Sequence, residues 1–243
     1  KIKNDFSLRT MKIFAVRIGD KYGPEYETYL EKKLSDYEIV WIREPYHPKV
    51  ELQWNKMYAM HTGIDEPVCV IDIDMLLIND YKKIFEFPIE RGEFAAMPGW
   101  WRDTDKEGYK INGGFFKYYP TDCEYIYEKF MKDMKHWQSY YILNGTTNGP
   151  VNGEQYFVED SVRERLKLTV LPPQWFTRWV TGEDIIYGKS MMKFNVQLTR
   201  KYREITGNDY IYLGDEFHPD IKFVHFSHRF NKPHEWESFK EHV

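Results

Sequence analysis

Apolar residues along this chain follow two rhythms, and the switches between them divide it into strands and helices. Residues 12–18 form a nearly continuous apolar run, the mark of a strand covered on both faces. Residues 24–34 open on Pro24, carry Glu and Lys at helical spacing and predict a helix, and residues 37–42 predict a second strand. Residues 53–61 then read as a helix, residues 67–73 as a central strand ending in acid, and residues 94–97 and 113–118 as further short strands. One helix is expected over residues 121–134, a Gly- and Asn-rich loop over 144–153, and another helix over 155–165. Strands alternating with helices predict an α/β fold on an open, mostly parallel sheet, whose ligands bind beyond the carboxyl ends of its strands.

At that end of the central strand stand two acids, in the run Val68-Cys-Val-Ile-Asp72-Ile-Asp74-Met-Leu-Leu-Ile78. A spacing of two turns both carboxylates to one face. Burying two like charges together costs several kcal/mol unless a cation compensates, and oxygen ligands suit Mg²⁺ or Mn²⁺. An acidic strand cap open to water is the plainer alternative.

Composition narrows the partners. The 243 residues fit one domain, and a net charge of -4 gives no global basic field for nucleic acid or an anionic membrane. The longest apolar stretch, residues 68–78, is broken by Asp72 and Asp74 and is shorter than the ~18 residues of a membrane span. The two cysteines, Cys69 and Cys123, make no disulfide framework and suit a reducing compartment. A cytoplasmic location is therefore expected, or a lumenal one if a targeting or anchor segment has been removed. Met11 opens the first strand-like run, so residues 1–10 are read as an added or disordered leader and residues 11–243 as the domain. Aromatic residues make up 18% of the chain, a richness that suits stacking on sugars or bases as well as ordinary core packing.

Five segments together resemble the glycogenin-like glycosyltransferases of family 8, which carry the GT-A fold. They are Trp54-Asn-Lys56-Met57, Asp72-Ile-Asp74-Met-Leu-Leu-Ile-Asn79 with Phe85 following, Ile111-Asn112-Gly113-Gly114-Phe115, Gly153-Glu154-Gln155, and His225-Phe226 with Lys232-Pro233. The resemblance runs from Met11 almost to the end. Three positions depart from it: Glu154 stands for the family's Asp, His228 for its usual Gly, and one extra residue precedes Lys232.

The resemblance implies a DxD-motif transferase of carbohydrate biosynthesis. It would move a hexose or pentose from a UDP-sugar to an acceptor hydroxyl on a carbohydrate or glycoprotein, retaining the anomeric configuration. Asp72, Asp74 and His225 would hold Mn²⁺ or Mg²⁺, with Asp72, Asp74, Glu154 and Gln155 at the reaction centre. Val16, Arg17, Asp20, Tyr22, Lys56, Ile73, Asn112, Gly113, Gly114 and Lys232 would bind the nucleotide-sugar, Asp20 and Tyr22 at the base and the two lysines at the diphosphate. Each has a plainer alternative. Asp20 and Tyr22 also fit a surface turn, Lys56 a solvated helix side chain, the glycines a bulge, Glu154 a helix N-terminal acid, and His225 a core residue. Two other functions share parts of the pattern: a phosphatase of the haloacid dehalogenase type, in which the first acid is the nucleophile, and a non-catalytic nucleotide-sugar binding module.

Overall fold

A computed structural model describes residues 11–101, 111–144, 153–179, 185–186, 189–213 and 216–226. The expected leader at residues 1–10, the interior of the loop at 145–152, and His228, Lys232 and Pro233 lie outside the described residues.

In chain order the elements are β1 (Lys12–Val16), α1 (Pro24–Lys33), β2 (Glu38–Ile42), a 3-10 helix (Leu52–His61), β3 (Val68–Ile71), β4 (Met75–Leu77), α2 (Lys82–Phe85), β5 (Glu93–Pro98) and β6 (Ile111–Tyr118). There follow α3 (Pro120–Lys132), α4 (Met134–Leu143), α5 (Glu154–Arg165), β7 (Lys167–Val170), a 3-10 turn (Pro173–Trp175), β8 (Phe176–Arg178), β9 (Ile185–Ile186), β10 (Lys189–Ser190), α6 (Met191–Thr206), β11 (Tyr212–Leu213), β12 (Glu216–Phe217) and β13 (Phe223–His225).

The central sheet has six strands in the order β2-β1-β3-β6-β5-β7. Its pairings are parallel except those of β6, which runs against both β3 and β5. The apolar runs in the sequence follow from this architecture, because successive residues of one strand enter two different cores. Ile13, Ala15, Cys69 and Ile71 pack on one face with Tyr26, Tyr29 and Leu30 of α1. Phe14, Val68 and Val70 pack on the other with Trp54, Met57, Phe130 and Phe157 from the 3-10 helix, α3 and α5. Burying each such side chain contributes about 1.5–3 kcal/mol. Both cysteines are buried and unbridged.

Local chemistry sets the element ends. Pro24 starts α1, Glu25 and Glu27 occupy its first turn and Lys32 and Lys33 its last, so the charges complement the helix dipole. The helix expected over residues 121–134 breaks at Asp133, whose backbone leaves helical geometry and whose carboxylate caps a second helix, α4, by accepting from the His136 amide at 3.1 Å. The segment at residues 53–61 winds as a 3-10 helix rather than an α-helix. The strand at 67–73 stops at Ile71, before the acids, because the chain leaves the central sheet there.

That departure builds a second sheet, β4-β13-β8, in which β13 runs antiparallel to β4 and parallel to β8. Its register sets His225 opposite Met75. The Phe226 amide donates to the Asp74 carbonyl at 2.8 Å and the Trp179 amide to the His225 carbonyl at 2.8 Å, which fastens the end of β13 beside the acids.

Candidate metal centre

The site is assembled from segments far apart in sequence. Asp72 and Asp74 follow β3, and the Asp72 amide donates to the Gly114 carbonyl at 3.0 Å, extending the β3–β6 ladder by one bond. The second sheet brings in His225. Its Nε2 lies 3.2 Å from Asp72 Oδ2 and 3.4 Å from Asp74 Oδ1. Asp72, Asp74 and His225 each present a ligand atom, all within 4.8 Å of one another. Two carboxylate oxygens and an imidazole nitrogen form a donor set that fits Mn²⁺ or Mg²⁺, so the three residues expected to ligate a metal do converge.

The remaining carboxylate oxygens are occupied. Lys56 Nζ stands 2.5 Å from Asp72 Oδ1, donates to the Gly113 carbonyl at 2.6 Å, and lies 3.9 Å from Glu154 Oε2. The Tyr22 hydroxyl donates to Asp74 Oδ2 at 2.6 Å. Lys56 is therefore no solvated surface lysine, since only 3% of it is exposed and its partners are acids. Asp72 keeps 25% of its side chain open, the edge by which a ligand reaches the group.

Electrostatics follow from this packing. Burial alone would raise the Asp72 carboxyl, but the Lys56 charge and His225 override it and hold the carboxyl well below the usual carboxylate range. Burial would likewise lower the His225 imidazole, and the carboxylates of Asp74 and Asp72 raise it instead. Burial and then the Asp74 charge push the Tyr22 phenol far up, so it stays a neutral donor. The Lys56 ammonium, set between Asp72 and Glu154, offsets part of the acids' charge.

The other expected residues divide. On β6, the Gly113 amide donates to Gln155 Oε1 at 3.1 Å, and a Cβ at Gly113 would stand 2.7 Å from Glu154 Oε2, so Glu154 and Gln155 do meet the glycine segment. Gly153, in the left-handed conformation with φ 113°, turns the chain into α5 and so delivers both residues. The Asn112 side chain folds back to accept from the Gly114 amide at 2.8 Å, and Ile73 is buried in the core. Val16 ends β1. Asp20 is exposed near a turn at Gly19, whose φ is 78°. Arg17 pairs with Glu27 of α1 and donates to the Tyr22 carbonyl at 3.3 Å, which ties the loop after β1 to α1. Tyr22 itself, expected at a base, has its hydroxyl on Asp74 and its ring edge-on to Tyr26 at 4.8 Å. Nothing in the sequence signals the Tyr22–Asp74 and Lys56–Glu154 contacts, which join positions far apart in the chain. Among the described residues no helix is long and apolar enough to cross a membrane.

No protein-family model matches the chain, and no curated protein sequence matches it. Solved structures do resemble it. The galactosyltransferase LgtC, in complex with donor and acceptor sugar analogues, aligns with a TM-score of 0.54 and 11% identity over 95% of this chain and 94% of that one. The glycosyltransferase GlyE of Streptococcus pneumoniae TIGR4 aligns with a TM-score of 0.53 and 13% identity over 92% of this chain, which spans 56% of GlyE. At such identities the likeness defines the architecture, a single α/β unit of GT-A type.

Proposed function

We propose that this chain, which has the GT-A glycosyltransferase fold, transfers a hexose or pentose from a UDP-sugar to a hydroxyl of a carbohydrate or glycoprotein acceptor, with Mn²⁺ or Mg²⁺ held by Asp72, Asp74 and His225. The motifs resemble those of the glycogenin-like family 8, and retention of configuration comes with that resemblance. The observation that carries the proposal is the convergence of the three ligand atoms beside a buried lysine, on a fold shared with sugar-transferring enzymes. A phosphatase of the haloacid dehalogenase type would be expected to carry its acids after the first strand, whereas Asp72 follows the third.

When bound, the cation supplies Lewis-acid stabilisation of the charge that builds on the departing diphosphate. The chain's own groups do the rest. Lys56, fixed between Asp72, Glu154 and the Gly113 carbonyl, adds a desolvated positive charge beside the diphosphate. Glycine at 113 keeps a Cβ out of the space by Glu154, so backbone and acid together border the donor sugar. Gln155, tied to the Gly113 amide, fixes that border. Lys232 belongs to the same proposal as a second contact to the diphosphate. Holding the acceptor hydroxyl close to the anomeric carbon, on the face from which the diphosphate departs, supplies much of the rate.

The test incubates the protein with UDP-glucose, UDP-galactose or UDP-xylose and Mn²⁺, and measures released UDP. Release that depends on the metal and is lost in Asp74→Asn is expected. Release of inorganic phosphate from simple phosphomonoesters, with none of UDP, would replace this function by a phosphatase, and donor binding without any release would leave a binding module.

A further inference from the structure

The two aspartates are built alike in one respect: each has one oxygen facing His225 Nε2 and the other engaged elsewhere. Asp72 turns Oδ2 to the imidazole while Lys56 holds Oδ1. Asp74 turns Oδ1 to the imidazole while the Tyr22 hydroxyl holds Oδ2 at 2.6 Å.

Tyr22 is in turn held from three sides. Its carbonyl accepts from Arg17, which is anchored on Glu27 of α1, its ring meets Tyr26 edge-on, and Lys21 Nζ lies 4.5 Å above the ring. A hydroxyl set in this way is a fixed donor to Asp74 Oδ2.

We propose that Tyr22 is a positioning residue that reserves Oδ2 of Asp74, so that Asp74 offers a divalent cation a single oxygen. This rests on the metal-centre reading above. With Lys56 doing the same at Asp72, the protein presents two one-oxygen carboxylates and one nitrogen, and leaves the remaining positions to diphosphate oxygens and water. Such a set suits Mn²⁺ or Mg²⁺, which take six ligands in near-octahedral array. It disfavours Ca²⁺, which takes six to eight oxygens and uses two-oxygen carboxylates. Tyr22 thereby acts on metal choice, a role separate from stacking on a nucleotide base.

Tyr22→Phe keeps the ring and removes the hydroxyl, freeing Oδ2. Mn²⁺ affinity is read from the loss of the free-ion paramagnetic resonance signal, and Ca²⁺ affinity from its competition with Mn²⁺, without nucleotide. The preference for Mn²⁺ over Ca²⁺ is expected to shrink about tenfold in Tyr22→Phe, the usual scale for losing an outer-shell hydrogen bond. Tyr22→Leu should shrink it equally, because the hydroxyl and not the ring is responsible. A preference unchanged in Tyr22→Phe, or changed only in Tyr22→Leu, would overturn the inference.

A second readout uses the unaltered chain and does not depend on any variant folding. Infrared difference spectra on Mn²⁺ binding should carry the wide carboxylate splitting of one-oxygen ligation, and a narrow, two-oxygen splitting contradicts it. If the unaltered chain binds no Mn²⁺ at all, the metal centre itself fails, an outcome distinct from the others.

Discussion

Lys56 is where charge and burial meet most sharply in this molecule. The residue is 3% exposed, and its ammonium persists there because Asp72, Glu154 and the Gly113 carbonyl surround it. Burial disfavours the charge, yet the two acids raise the lysine above its ordinary value. Removing one partner of a buried pair leaves the other uncompensated, which costs more than the pair contributes. Asp72→Asn should therefore destabilise the fold by about 3 kcal/mol, measured by urea unfolding near neutral pH. Asp74→Asn keeps an acceptor for the Tyr22 hydroxyl and should unfold close to the unaltered protein. Equal stability of Asp72→Asn and the unaltered chain would mean that Lys56 does not depend on Asp72.

At the scale of elements, the second sheet governs the site because it alone delivers His225. Lys222, just before β13, is buried, donates its amide to the Trp175 carbonyl at 2.8 Å, accepts from the Ile78 amide at 3.1 Å and pairs its ammonium with Asp80. Hydrogen bonds from Lys222 and then Lys83 hold the Asp80 carboxyl down at about 2, against an ordinary 3.8. A depressed acid stabilises the fold above its unfolded value and loses that contribution as pH falls through its folded value. The sheet should thus weaken between about pH 4 and 2, and the difference in stability between the unaltered chain and Asp80→Asn should close over that window. Because Asp80 is half exposed, solvent screening keeps the effect below ~1 kcal/mol. A difference that persists undiminished to pH 2 would exclude the Asp80 pairing as its source.

The elements legible in the sequence are those whose burial is periodic. β1, β2, β3 and α1 lie within a few residues of the expected spans, since both sheet faces are covered and the helix charges mark their own ends. The break at Asp133 was not legible, because a single capping carboxylate ends one helix and starts the next within an otherwise helical pattern. The switch from β3 to β4 was hidden inside one apolar run, as both sheets bury their strands and hydrophobicity cannot tell them apart.

Across the whole molecule, the centre joins residues 22, 56, 72, 74, 113, 154 and 225, brought together by two sheets and the start of α5. The aspartates and the glycine segment were readable from their places relative to strands. The contacts of Tyr22 and Arg17 were not, because they depend on the loop after β1 turning back to α1 and Asp74, a closure without a local signature. In the proposed function Asp72, Asp74 and His225 bind one divalent cation, which in turn secures a nucleoside diphosphate. Calorimetric titration of UDP into the protein, with and without Mn²⁺, tests it most directly. UDP binding is expected to tighten strongly with Mn²⁺ in the unaltered chain and to lose that tightening in Asp74→Asn and in His225→Asn; tightening that survives in both variants rules out the three-ligand centre.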